Sequence, residues 1–375
     1  MEELLQWMEY IEDVRQAKKV RHKLKDILVI VLFATLANAD DLVDIALFGE
    51  CYQEYLRKYI ALENGPPSHD TIQRVMGMIE PETIQQLYTK WQELLNRKEG
   101  ALIKKIICID GKTMRGNTQN GEKPNHIVTA WSKEDGFCLG QKAVEEKSNE
   151  IAAIPKLLDQ VQIKGQIVTI DAAGTQKTIA EKIRSKRADY VLAVKGNQGT
   201  LLAELKEYFG DEELRKKVEE NGGYKKTQEK ARSQIETREY YQTSDVKWLS
   251  QYKEWKGLKS IAMERKTLNK AGKVTHETRY FISSLQLDID TLSRAIRGHW
   301  NIESMHWHLD VTFREDANRT IDKIAAQNQN IIRKWCLSIL KMTELSIKYK
   351  RLSLRKKRFV ISLDPIKFLE EVLQN

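Results

Sequence analysis

Two aspartates close short apolar runs of the same texture: Asp110 follows Ile106-Ile107-Cys108-Ile109, and Asp171 follows Ile167-Val168-Thr169-Ile170. Side chains leave the core where strands end and loops open, so carboxylates placed there are free to act on a ligand. Each of them, taken singly, also suits a turn former or a helix cap. A third acid, Glu303, lies on a segment whose three- and four-residue steps pass through Leu292, Ile296, His299, Glu303, His306 and Asp310. That face turns from apolar to acidic within two turns, while Ile296, Trp300 and Trp307 line an adjacent stripe. Burying a lone carboxylate costs roughly several kcal/mol. Glu303 therefore calls for a basic neighbour, such as Arg297 or His306, or for a metal ion.

Other constellations carry less. Ser68-His69-Asp70 spells a triad, but consecutive residues cannot converge as nucleophile, base and orienter, so the segment reads as a helix start with Ser68 as N-cap. His299, Glu303 and His306 share a helical face, whereas His308 lies about 200° round the helix from His306, which leaves a thin case for zinc. The stretch from Gly116 to Gly121 lacks the Gly-Lys-Ser/Thr ending of a nucleotide-binding loop.

The elements that must position the acids follow from hydrophobic periodicity. Residues 1–98 read as a helical N-terminal domain, broken by Gly65-Pro66-Pro67 and ended by the charged link Arg97-Lys98-Glu99-Gly100. Residues 99–200 show short strands at Ile106–Ile109, His126–Trp131, Phe137–Ala143, Ile167–Ile170 and Tyr190–Val194. Helices are expected over Ile151–Gln160 and Thr178–Ser185, giving an α/β unit with a mixed sheet flanked by helices. Residues 201–284 begin with one charged helix to Glu220. They continue as a β-rich segment over Ile235–Gln242, Ser260–Thr267 and Thr275–Ile282, with a hairpin turn at Asn269–Lys273. Residues 285–375 read as helical from Asp290 to about Lys350, then as a basic tail containing Lys348, Lys350, Arg351, Arg355, Lys356, Lys357 and Arg358.

With 41% hydrophobic and 31% charged residues the chain is neither disordered nor a small disulfide scaffold. A net charge of +9 fits a polyanionic partner without requiring one. The four cysteines are scattered and form no CxxC pair, Met1-Glu2-Glu3 does not open a secretory signal, and the apolar run Ile27–Ala39 falls short of the about 20 residues that span a membrane. A reducing cytoplasm is the expected location, with no membrane partner.

Taken together, I-D-G-K-T-M-R-G at Asp110, T-I-D-A-A-G-T-Q at Asp171 and R-G-H-W-N-I-E-S-M-H-W-H-L-D at Glu303 resemble the motifs of bacterial insertion-sequence DDE transposases of the H-repeat-associated (ISAs-type) group. R-H-K-L-K-D-I-L from Arg21 and G-P-P-S-H-D-T-I-Q-R-V from Gly65 resemble that group's transposase-associated domain. The resemblance covers nearly the whole chain. It implies a ribonuclease H-like core in which a β-rich insertion separates Asp171 from Glu303, and a DNA transposase that cuts and joins DNA strands. It also implies two Mg²⁺ ions, replaceable by Mn²⁺, with Asp110 shared between them and Asp171 and Glu303 each completing one. Water is then the first nucleophile and the freed 3′-OH the second. Double-stranded DNA, as terminal inverted repeats and target, and a homodimer on that DNA are the implied partners, with the nucleoid as the place of action.

The sequence departs from related transposases where they carry Tyr, Arg and Lys around the glutamate: Ile296, His299 and Asp310 stand there. Arg232-Ser233-Gln234 replaces a His-Gly-Arg before Ile235-Glu236-Thr237-Arg238. Phosphate contacts are left to Arg297, Lys195 or Arg314, and Lys112, Trp300, Lys356 and Arg358 complete the expected DNA-facing set. Arg74 is a further candidate for reading DNA ends. The alternatives are a transposase-derived DNA-binding protein without activity and a ribonuclease or structure-specific nuclease that cuts without joining.

Overall fold

The computed structural model describes residues 6–96, 104–118, 123–145, 149–231, 234–347 and 351–374. After two short 3-10 turns, the described residues form the helices α1 (Leu24–Leu36), α2 (Leu42–Cys51), α3 (Gln53–Leu56), α4 (His69–Met76) and α5 (Pro81–Asn96). Helix α1 is apolar all round and buried from Asp26 to Leu36, so it forms the centre of this helical region and not a surface element. Ser68 caps α4 by accepting from the Thr71 amide.

The strands and helices that follow are β1 (Ile106–Thr113), β2 (His126–Ser132), β3 (Phe137–Ala143), α6 (Glu150–Gln160), β4 (Ile167–Ile170), α7 (Lys177–Ser185) and β5 (Asp189–Val194). Next come α8 (Gly199–Gly210), α9 (Glu212–Glu220), β6 (Tyr224–Ala231), β7 (Gln234–Thr243), β8 (Ser260–Lys270) and β9 (Lys273–Ser283). The chain closes with α10 (Ile289–Trp307), α11 (Lys323–Met342), α12 (Leu354–Leu363) and α13 (Pro365–Gln374). Among the described residues nine strands form one mixed sheet in the order β3-β2-β1-β4-β5-β9-β8-β7-β6. β1, β4 and β5 run parallel, and the two flanking sets are antiparallel.

This 3-2-1-4-5 arrangement with helices on its faces is the ribonuclease H-like layout. The β-rich segment continues the same sheet beyond β5 and does not form a separate one. Helix α10 lies against β1, β4 and β5 and also touches β6 and β7, so it bridges both halves of the sheet. Its close approach depends on Gly298, where a Cβ would lie 2.9 Å from Ile106 Cδ1. Helix α11, buried from Asn328 to Leu340, is packed between β3 and the N-terminal helices α1, α4 and α5.

Three expectations need correction. The single charged helix over 201–220 is two, because Asp211 accepts from the Glu213 and Leu214 amides and starts α9 as its cap. Strand β6 was not expected: its sequence, YKKTQEKA, has no apolar alternation, and as the outermost strand it needs none. The helix from Asp290 onward is interrupted. It ends in a π-helical turn, His308–Thr312, Arg314 adopts φ 50°, and Asp322 caps a new helix through the Ala325 amide. Between them the buried Glu315 accepts from Asn330 at 2.7 Å, so tertiary bonds replace helical ones.

Candidate active site

Ile109 of β1 and Ile170 of β4 are in register on neighbouring parallel strands. Asp110 and Asp171 are the next residue of each chain, and therefore stand side by side at a strand spacing of about 4.8 Å. The Asp171 loop is fixed locally. Its Oδ1 accepts from the Ala173 amide at 3.0 Å, and Thr175 Oγ1 donates to the Ala193 carbonyl at 2.6 Å. Glu303 enters from α10. A cavity of about 190 Å³ is lined by all three acids, by Lys195 and Arg279, and by Trp300 among others.

Electrostatically the pocket is acidic at its floor. Asp110 is pushed up to about 7, chiefly by burial; the Gly111 amide opposes this, and the Asp171, Glu150 and Glu303 carboxylates add to it. His306 Nδ1 lies 3.6 Å from Asp110 Oδ2, yet burial holds that imidazole down to about 3, so it carries no compensating charge at neutral pH. His299, tied to Thr169 Oγ1 at 3.0 Å, is likewise held neutral, near 4, by burial. Glu303 stands on the exposed rim, where partial burial raises its pKa against the pull of Arg279 and Lys195. The expected ion pair of Glu303 with Arg297 or His306 is not formed, since Arg297 turns to Glu229 at 3.3 Å and His306 faces Asp110.

The donor set fits a hard divalent cation. All three groups are carboxylates, and two of them adjoin without a charged partner between. Among the described residues no group of three or more His, Cys, Asp or Glu side chains is placed to hold a metal ion together. That does not conflict with Mg²⁺, which keeps several waters and takes one or two protein carboxylates, so pairs suffice.

Asp110 also yields a stability prediction. Its native pKa is near 7 against an ordinary value near 4, so metal-free protein loses stability as pH rises through that window and recovers none above it. Asp110→Asn should therefore be more stable than the parent in EDTA at pH 8, by roughly 3–4 kcal/mol at most, with the gain shrinking toward pH 4. Urea unfolding at pH 5 and pH 8 checks it, and equal stability at pH 8 would contradict it.

The remaining expected residues scatter. Lys195 faces the acids from the end of β5. Trp300 lies half-buried under the Arg279 guanidinium, 4.2 Å from the ring centroid. Lys112 corrects the expectation of a DNA contact: its ammonium is buried among Asp310 (2.7 Å), Glu315 (3.2 Å) and Asp316 (3.2 Å), where it neutralises an internal acidic cluster. Arg358 is a second correction. It is 0% exposed and spends its guanidinium on the Thr35 and Ala39 carbonyls and on Asp40. Arg314 and Lys356 are exposed, the first 3.9 Å from Asp40. Ile296 is buried, and Asp310 serves Lys112. Arg232 and Ser233, like Lys348, Lys350 and Arg97–Gly100, lie outside the described residues. The following Ile235–Arg238 motif forms a structural pair, Arg238 lying buried between Glu236 (2.7 Å) and Glu264.

Arg279 was missed by sequence reasoning. The usable signal was the two-residue alternation of β9, which puts it on the same face as the buried Phe281.

A family profile described as Transposase DDE domain matches residues 102–339, and one described as DDE_Tnp_1-associated matches residues 5–92. The putative transposase YncI of Escherichia coli O157:H7 is 39% identical over 100% of this chain and 95% of its own. The H repeat-associated putative transposase YhhI of Escherichia coli K12 is 37% identical over 91% of this chain and 90% of its own. The inactive transposase YbfQ of the same strain is 47% identical, over 20% of this chain and 93% of its own. Sheet order and these matches agree: the chain belongs to the DDE transposase family, beside the H repeat-associated putative transposases.

Proposed function

We propose that this chain binds the terminal inverted repeats of an insertion sequence, cuts at their 3′ ends and joins them to target DNA. The observation that carries this is one cavity in which Asp110, Asp171 and Glu303 are faced by two cations, Lys195 and Arg279. Asp110 with Asp171, and Asp110 with Glu303, would hold two divalent ions, Mg²⁺ or Mn²⁺. Bound there, such ions lower the pKa of water and stabilise charge on the attacking and leaving oxygens of an in-line displacement.

The chain's own groups supply the rest. Asp110 is half-protonated near pH 7, so loading the site displaces a proton and is favoured by rising pH. Neutral His299 and His306 fill the space around the acids without repelling a cation. Lys195 and Arg279 would grip the phosphate being attacked, and the Trp300 ring braces the Arg279 guanidinium so that little freedom is lost on binding. Water attacks first and the freed 3′-OH second, each making one P–O bond as another breaks. Two ends must meet for joining, which requires a dimer on DNA.

The test is DNA carrying the inverted repeats that flank the gene, incubated with protein and Mg²⁺. The proposal expects a nick exposing a 3′-OH, then a joined product. Cleavage without joining would instead indicate a nuclease, and binding without cleavage a DNA-binding protein alone. Lys195→Ala and Arg279→Ala should each weaken DNA binding and reduce its salt slope by about 1. An unchanged slope in both, measured by fluorescence anisotropy over a salt series, would remove them from the phosphate path.

A further inference from the structure

Gly111, directly after Asp110, is not among the glycines with positive φ, so its backbone conformation does not demand glycine. Space does. A Cβ at Gly111 would collide with Glu150 Oε1 and lie 2.5 Å from His126 Nε2. These two atoms hydrogen-bond to each other at 2.6 Å, so the bond passes over the Gly111 Cα. A carboxylate only accepts, so His126 Nε2 is the donor, and its Nδ1 is hydrogen-bonded to Thr113 Oγ1 at 2.8 Å. Three elements thus converge on the flank of Asp110: β1, β2 through the Thr113–His126 register pair, and the first residue of α6.

Glu150 brings a fourth carboxyl group to the flank of Asp110, its Oε1 occupying the space where a Cβ on the adjacent Gly111 would stand. It is a quarter exposed and lines a cavity of about 640 Å³ that reaches Ala173, beside Asp171, so water has access. Crowding of like charges destabilises the empty protein, and a cation bound at Asp110 reverses the sign of that interaction.

We propose that Glu150, held by His126 in the space Gly111 leaves, is a positioning residue for the divalent ion on Asp110, raising its affinity through the surrounding field and the ion's waters. This inference rests on the metal reading above. A purely structural role, pinning α6 to the sheet, is the competing explanation, and Glu150→Gln separates the two because an amide oxygen still accepts from His126.

The experiment is a Mn²⁺ titration of the full chain without DNA, with free Mn²⁺ read by electron paramagnetic resonance and folding checked by thermal unfolding in EDTA. Glu150→Gln should bind Mn²⁺ about 10-fold more weakly with no loss of thermal stability, as outer-shell partners of metal sites typically show. His126→Gln, which loosens the carboxylate without removing it, should weaken binding in the same direction and serves if Glu150→Gln does not fold. Unchanged Mn²⁺ affinity in the folded variant overturns the inference. Asp110→Asn is the control: if it too leaves Mn²⁺ affinity unchanged, the acid-site reading itself has failed, whereas loss of binding there alone confines the failure to Glu150.

Discussion

Asp171→Asn and Glu303→Gln should each lower Mg²⁺-dependent strand cleavage by about 1,000-fold or more, a barrier increase of about 4 kcal/mol, while leaving DNA affinity within about threefold. Both substitutions keep shape and remove only charge, so they separate the acids' chemistry from their packing. Asp171 Oδ1 also caps its own loop through the Ala173 amide, and an Asn oxygen still accepts that bond. Glu303 stands at the rim without an ion pair among those of the described residues, so its loss disturbs no internal network. Gel-resolved cleavage of labelled ends, with a mobility-shift assay alongside, measures both quantities. A variant that cuts at the parental rate would remove that acid from the catalytic set.

The second large effect is on the fold. Arg358 of α12 donates to the Thr35 carbonyl (3.0 Å), the Ala39 carbonyl (3.0 Å), Asp40 Oδ1 (3.0 Å) and the Thr312 carbonyl, and lies over the Phe313 ring at 4.4 Å. Those acceptors belong to the end of α1, to the loop that follows it and to the π-turn that follows the Glu303 helix. One buried guanidinium therefore joins the N-terminal helices, the C-terminal helices and the π-turn after the Glu303 helix. Arg358→Ala leaves Asp40 and several carbonyls without that partner, and breaking a buried charge pair in this way costs about 3–5 kcal/mol. The urea midpoint should fall accordingly, and Arg358→Lys should recover only part of it because an ammonium lacks the planar fork. Parental stability in Arg358→Ala would show that the latch contributes nothing.

The acids and the strands beneath them were legible because parallel strands buried on both faces must be apolar and β-branched, and a carboxylate after such a run stands out. The same logic could not find β6, whose edge position imposes no pattern, nor Arg279, which reaches the acids only because the sheet continues from β5 to β9. Arg358 and Lys112 were misread for one reason. A basic residue in a charged stretch looks like a surface group, and only the fold shows that the carbonyls and carboxylates around it are buried too. The break after Trp307 was equally hidden, since neither proline nor glycine marks it and the polar segment ending in Asp322 bonds across the fold.

Crystals soaked in Mn²⁺ and measured at the manganese absorption edge test the central claim most directly. Anomalous density between Asp110 and Asp171, and between Asp110 and Glu303, is the predicted result. Manganese bound elsewhere, with these three carboxylates left free, would contradict it.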